Sequence, residues 1–198
     1  MTSDAEMTSE TDVTSVADVT SGASAAPDSG AVSNADRAAV AAQLGRAPRG
    51  VRGVAHRCPC GLPSVVRTNP RLEDGTPFPT LYYLTCARLC SRLGGLEAGG
   101  TMREMTERLA SDSELAATYR RAHQAYLAER DAIEPLGTEV SAGGMPDRVK
   151  CLHVHVAHSL AAGPGVNPFG DETLAAVSDW WRAGPCVQGA RGCGLPAS

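Results

Sequence analysis

Cysteine and histidine residues at three separated points of the chain have the types and spacing of metal ligands. The first pair lies in CPCG, another cysteine ends YYLTC, and a third point is the segment CLHVHVAH. Thiolate and imidazole are the ligands of structural zinc sites, and residues distant in sequence can converge in a folded site. The sequence therefore predicts one metal site of the Cys3His kind. Its candidate ligands are Cys58, Cys60, Cys86, Cys151 and His153.

Zinc is the expected metal, and an iron-sulfur cluster is the alternative, because thiolate ligands suit both. A second interpretation needs no metal, since reduced cysteines also pack in cores as small apolar residues. A third is catalytic: the thiol of Cys86 or Cys151 beside His158 would be an activated nucleophile, because an adjacent imidazole lowers the pKa of a thiol. The remaining cysteines have no partner in this pattern and are expected to be free thiols: Cys90, Cys186 and Cys193.

The first 36 residues differ in composition from the rest of the chain. They contain seven acidic residues and no basic or aromatic one, so they cannot bury enough apolar surface to offset the entropy of ordering. We expect a disordered acidic tail over residues 1–36, one domain over 37–183 and a flexible C-terminal tail over 184–198. Neither a signal-peptide pattern nor an apolar stretch of membrane-spanning length is visible. The expected location is the cytoplasm.

The charge pattern does not indicate a nucleic-acid partner. The net charge of −4 at neutral pH becomes +3 when the seven acidic residues of the predicted tail are left out. The one local basic run, within residues 46–57, lacks interleaved aromatic residues and a recognisable reading helix. Nucleic-acid binding is therefore not expected, whereas an unknown protein partner stays open.

Three β-rich runs precede a helical half. Residues 51–56, 64–68 and 80–85 are separated by Gly and Pro punctuation, which is typical of short antiparallel strands. From residue 87 onward, apolar residues recur at helical spacing. The pattern predicts an α+β domain with a small antiparallel sheet of about three strands and about five helices.

Two predicted helices carry detailed expectations. Ser111 and Glu114 form a capping-box pattern for a long helix, whose charged residues, Arg130 among them, are expected on a solvated face. A later helix is predicted to begin at Pro146 and to carry Cys151. A C-x-H pair within a regular helix would point its two side chains apart, which weakens the predicted site unless the cysteine precedes the first turn.

Four sequence words in order resemble a known family. They are HRCPCGLPSVV, GTPFPTLYYLTC, LEAGGTMREMTERLA and the segment from DRVKCLHVHVAHSLAAG to VNPFG. Together they are similar to the bacterial domain-of-unknown-function family 501, over roughly residues 37–170. The residues at 58, 86, 151 and 153 match the words of the family, whereas Ala87 stands where a proline is expected.

The resemblance implies little about activity. Genes of such proteins commonly lie beside those for a DivIC-type septum-formation initiator, enolase and an exopolyphosphatase, which implies a link to division or envelope physiology. The family supplies no established catalytic residues. The expected function is an uncharacterised metal-binding protein with a structural or interaction role, and the alternative is a thiol- or metal-dependent hydrolase or transferase. Four protein ligands in a dry site would favour the first, and an open coordination position beside a pocket the second.

Overall fold

A three-stranded sheet and six helices make up residues 32–187, the part of the chain that the computed structural model describes. The strands are β1 (Val51–Arg57), β2 (Pro63–Thr68) and β3 (Tyr82–Leu84). The helices are α1 (Asn34–Leu44), α2 (Ala87–Ala98), α3 (Thr101–Ser111), α4 (Ser113–Asp131), α5 (Leu152–Ala162) and α6 (Pro168–Ala176). The predicted α+β class with a small antiparallel sheet is confirmed. No helix in this part of the chain is long and apolar enough to cross a membrane.

The two predicted tails fall mostly outside the described residues. Residues 1–31 and 188–198 are not described. The disorder predicted for residues 1–36 and the flexibility predicted for 184–198 therefore stay predictions.

Helix α1 begins inside the segment assigned to the N-terminal tail. Ser33 is its N-cap, and the Ser33 hydroxyl accepts a hydrogen bond from the backbone N–H of Asp36. The Asp36 carboxylate also pairs with the Arg57 guanidinium at 2.7 Å, which joins the helix start to the end of β1. This ion pair is the first cause of the lowered pKa of Asp36.

Strand β2 is the centre of the sheet. The order is β1-β2-β3 with both pairs antiparallel, and Val54 pairs with Val66 while Val65 pairs with Leu84. Because successive side chains of a strand point to opposite faces, Val65 and Val66 lie on opposite sides of the sheet. Both are buried, so the central strand is covered on both faces.

Helix α5 packs against β3 and α6 and is buried over most of its length. Its polar residues His155, His158 and Ser159 are buried too. The amide of Asn167, the N-cap of α6, contacts Nδ1 of both imidazoles. Its oxygen accepts from the N–H of Gly170, and its nitrogen lies 3.3 Å from Nδ1 of both His155 and His158. Each Nδ1 therefore accepts a hydrogen bond from this nitrogen.

Both imidazoles are neutral as a result. With Nδ1 accepting, the proton of each ring sits on Nε2, and His155 Nε2 donates to the Tyr119 hydroxyl at 3.1 Å. The His158 ring stacks on Tyr82 and meets Tyr126 edge to face. Burial lowers the pKa of His155 and of His158 to about 4, because the charged form is disfavoured inside an apolar core.

Two expectations for α4 were wrong in detail. Asp112, not Ser111, is the N-cap, and its side chain accepts two backbone N–H bonds of the first turn. Arg130 does not lie on a solvated face but is fully buried, because its guanidinium donates to the carbonyl oxygens of Val140 and Thr138. A buried arginine with satisfied donors ties the end of α4 to the following loop.

The helix predicted to begin at Pro146 begins at Leu152. The backbone before it folds back on itself, with the N–H of Lys150 donating to the carbonyl of Gly143 at 2.7 Å. Cys151 has an extended backbone and is the N-cap of α5. Helical spacing therefore does not direct the side chain of Cys151 away from that of His153.

The buried imidazole of His158 predicts a loss of stability in acid. Its pKa is lower in the folded than in the unfolded protein, so the stability it contributes is present above pH 6.5 and is lost as the pH falls toward 4. A shift of this size amounts to at most about 3 kcal/mol. The variant His158→Phe should lose less stability than the unmodified protein over this range, measured by chemical denaturation at several pH values. Equal pH slopes for the two proteins would contradict the prediction.

Candidate metal centre

The turn between β1 and β2 presents two cysteines to the interior. The N–H of Cys58 donates to the carbonyl of Leu62 at 2.9 Å, and the N–H of Gly61 donates to the carbonyl of Cys58 at 2.7 Å. Gly61 has a φ of +83°, a conformation that a side chain would disfavour. This tight closure leaves the side chains of Cys58 and Cys60 buried, at 2% and 7% exposure.

Cys86 lies at the N-terminus of α2, where it is the N-cap and is fully buried. Hydrogen bonds to its sulfur from the thiols of Cys186 and Cys58 lower the pKa of Cys86, and N–H groups in the first turn of α2 act in the same direction. The thiolate is the form of cysteine that binds metals. The lowered pKa favours this form.

Cys186 reaches the same place from the irregular segment after α6. Arg88 on α2 donates from Nε to the carbonyl of Pro185 at 2.8 Å, which holds this segment against the helix start. The sulfur of Cys186 lies 3.0 Å from that of Cys86 and 3.4 Å from that of Cys60. The chain thereby brings together thiols that are 100 and 126 residues apart.

Three of the four sulfurs form a group of the size that one ion needs, and the fourth adjoins one of them. Those of Cys58, Cys86 and Cys186 lie within 4.8 Å of one another, and Cys60 joins them through its contact with Cys186. Zinc–sulfur bonds of about 2.3 Å place the sulfurs of a regular tetrahedron about 3.8 Å apart. The observed separations of 3.0 and 3.4 Å are shorter than that value. We call these four cysteines the four-sulfur group.

Contacts with Cys58, then with Cys86, raise the pKa of Cys186. The sulfurs of Cys86 and Cys186 are close enough for one thiol to donate to the other. No disulfide joins the cysteines of residues 32–187. A metal ion would replace the thiol protons, since ligation requires thiolates.

A second group lies where α5 begins. Ligand atoms of Glu97, Cys151 and His153 lie within 4.8 Å of one another, and all three residues are half-buried. The Glu97 carboxylate accepts from the N–H of Leu152 at 2.7 Å and lies 3.1 Å from Nδ1 of His153. The thiols of Cys151 and Cys90, followed by Glu97, raise the pKa of His153. We call Cys90, Glu97, Cys151 and His153 the Cys-His-Glu group.

The residues predicted to form one site are thus divided between two. Cys58, Cys60 and Cys86 lie in the four-sulfur group, and Cys151 and His153 lie in the Cys-His-Glu group. Along α2, Glu97 lies roughly 16 Å from Cys86, whereas Cys90 is one turn from it. The two sets of mutually close ligand atoms have no member in common.

Sequence reasoning missed three residues that the structure places in these groups. The expectation that Cys186 lacks a partner was wrong, because Cys58, Cys86 and Cys60 all contact it. Cys90 is not isolated either, since it interacts with His153, and Glu97 was not singled out. One signal was available in the sequence. CPCG and Cys86 supply three thiolates, so a tetrahedral site made of thiolates alone needs one more cysteine. Cys193 lies outside the described residues.

We expected His158 to pair with Cys86 or Cys151 as part of a nucleophile, but the structure gives it other neighbours. The structure places the His158 ring against two tyrosines and the amide of Asn167, in the core. The imidazole next to Cys151 is instead that of His153. His158 thus serves the packing of α5 in this structure.

Residues 54–175 match a family described as proteins of unknown function (DUF501), and the chain belongs to this family. This confirms the resemblance found in the four sequence words. No curated protein and no solved structure matches the chain at a significant level. The matched range includes the whole Cys-His-Glu group and three members of the four-sulfur group, whereas Cys186 lies beyond its end.

The two groups predict different thiol reactivities. Under native conditions Cys90 and Cys151, which are half-buried, should be alkylated before the buried Cys58 and Cys86, because the reagent must reach the sulfur. Peptide mass spectrometry after brief exposure to iodoacetamide measures the order. All four should react at similar rates in denaturant, which serves as the control. Native labelling of Cys86 as fast as that of Cys90 would contradict the structure.

Proposed function

We propose that the protein is a zinc-binding protein in which the four-sulfur group holds a structural ion. The observation that carries the proposal is the meeting of four buried sulfurs from the β1–β2 turn, the start of α2 and the segment after α6. Zinc sites closed by four protein ligands have structural roles, whereas catalytic ones keep a position open. Burial of all four ligands supports the structural role.

The sulfur spacing supports a single ion rather than a four-iron cluster. In a four-iron cluster each cysteine binds a different iron, so the sulfurs must stand farther apart than around one ion. Here sulfur–sulfur contacts are as short as 3.0 and 3.4 Å. A tetrahedral set of four thiolates fits zinc or one iron ion, and zinc is the metal proposed.

The ion would stabilise the junction between the segment after α6 and the start of α2. The segment that carries Cys186 follows the last helix, and its described hydrogen bond to α2 is the one between Arg88 and Pro185. Bonds from one ion to Cys58, Cys86 and Cys186 would join this segment to the hairpin and to α2. Because such a site does not exist in the unfolded chain, the free energy of metal binding would add to that of folding.

The proposed compartment is the cytoplasm. Six cysteines within residues 32–187 are free, although some of their sulfurs are in contact, and thiols stay reduced in the cytosol. The link to division or envelope physiology, which rests on the gene neighbourhood of the family, stays a prediction.

The alternative function is that of a thiol- or metal-dependent hydrolase or transferase. The half-buried Cys151 and His153 favour it, because both can be reached from solvent. A cavity of about 320 Å³ lies elsewhere, lined by Val51, Val66 and Tyr83 among others, and its lining includes no member of either group. The structural role therefore has the stronger support.

Replacement of Cys186 tests the proposed structural ion. The full chain, purified under reducing conditions, should keep about one equivalent of zinc through dialysis against a weak chelator, as measured by elemental analysis. Cys186→Ser should lose this zinc and show a lower melting temperature, because three ligands hold the ion less tightly than four. Cys90→Ser is the control, because it removes a thiol outside the four-sulfur group, and it should keep this zinc.

Other outcomes would overturn the proposal. If the unmodified chain holds no chelator-resistant metal and does not gain stability from added zinc, the four thiols are a packed core and nothing more. One equivalent of iron in place of zinc would retain the site and change the metal. Cys60→Ser should have a smaller effect than Cys86→Ser, because Cys60 joins the group through Cys186.

A further inference from the structure

We propose that the Cys-His-Glu group is a second metal site, in which Cys90, Cys151 and His153 bind a zinc ion and a fourth position is open to solvent. This site is separate from the four-sulfur group and does not depend on it. Its ligand would be a borderline-soft divalent cation, because the donor set consists of two thiols and one imidazole.

The imidazole of His153 is held in the way that metal-binding histidines are held. Its Nδ1 lies 3.1 Å from the Glu97 carboxylate, which leaves Nε2 for an ion. Metal-bound histidines commonly donate their other ring N–H to a carboxylate, which orients the ring and strengthens it as a ligand. Glu97 is itself fixed by the N–H of Leu152 at 2.7 Å. It is a positioning residue here, not a ligand.

Two thiols adjoin this imidazole from different helices. Cys151 is the N-cap of α5, and its sulfur lies within 4.8 Å of ligand atoms of both His153 and Glu97. Cys90 interacts with His153 from α2. Cys90 and Glu97 are two helical turns apart and so share the face of α2 that meets the start of α5. His153 therefore contacts a thiol from each of two segments and one carboxylate.

Solvent exposure separates this site from the first. The side chains of His153 and Glu97 are 29% and 22% exposed, whereas no cysteine of the four-sulfur group exceeds 8%. Three protein ligands at an accessible place leave room for water or another small donor on the ion. Zinc sites with this arrangement bind exchangeable ligands and lower the pKa of bound water.

A simpler role for Glu97 makes no use of metal. Its carboxylate caps the first N–H of α5, which stabilises the helix start by itself. Glu97→Gln separates the two roles, because the amide oxygen can still accept from Leu152 while the negative charge beside His153 is gone. Helix capping alone predicts no change in metal binding.

The experiment is a metal titration of the full chain. After dialysis against a weak chelator, the reduced protein is titrated with Zn²⁺ by calorimetry and with Co²⁺ by absorption spectroscopy. We expect one equivalent to bind beyond the tightly held one, with a thiolate-to-cobalt absorption that corresponds to two thiolates. Added imidazole should alter the cobalt spectrum of this equivalent, because the fourth position is open.

Four variants assign the ligands. Cys90→Ser, Cys151→Ser and His153→Gln should each weaken the second equivalent by roughly 100-fold or more and leave the first in place, since each removes one of three ligands. Glu97→Gln should weaken it by about 10- to 100-fold without changing the two-thiolate spectrum. His123→Gln on α4 is the control, because this histidine bonds to Ser141 and not to either group.

The two bound equivalents test the two proposals separately. The chelator-resistant equivalent reports on the four-sulfur group and also shows that each variant is folded. The second site is overturned if the unmodified chain binds no further metal, or if Cys151→Ser and His153→Gln both retain the second equivalent. A failure of the structural ion, with a second equivalent still bound at Cys151, would overturn the proposed function alone.

Discussion

The length of α2 governs where chemistry can occur in this molecule. The helix begins at the buried Cys86, where β3 has just ended, and it runs to Ala98, so that Glu97 in its last turn meets the start of α5. Its rise of about 1.5 Å per residue sets Glu97 roughly 16 Å from Cys86 along the axis, while Cys90 of the second group lies one turn from Cys86. The hairpin and the C-terminal segment are joined to one end, and the central helix α5 to the other. Two separate centres follow from this arrangement.

The sheet was predictable because its signals are local. Each β-rich run lies between Gly and Pro residues, and the three observed strands fall within a few residues of the predicted ones. The beginning of α5 was less predictable, because Pro146 is a good first residue for a helix. A long-range bond decides against it: the first N–H of α5 finds its acceptor in Glu97, which lies on another helix.

The candidate ligands were predictable by type and not by grouping. Cys58, Cys60 and Cys86 stand beside strand ends that pair in the sheet, so their convergence follows from local structure. Cys186 lies in a Gly- and Pro-containing segment with no periodicity, and its place depends on contacts with residues distant in sequence, among them the bond between Arg88 and Pro185. Arg130 shows the same limit of sequence reasoning. Its guanidinium is buried because carbonyl groups of the loop after α4 accept its hydrogen bonds, and the pattern of the helix alone does not indicate these acceptors.

The contact between Cys60 and Cys186 also has a topological meaning. An ion bound by both would act as a cross-link that closes a loop of 126 residues, most of the described chain. Closing a loop of this length removes conformational entropy from the unfolded chain worth on the order of 5 kcal/mol. Unlike a disulfide, such a cross-link opens when the metal is withdrawn or a thiol is oxidised. The lifetime of the folded protein would then follow the supply of metal and reductant in the cell.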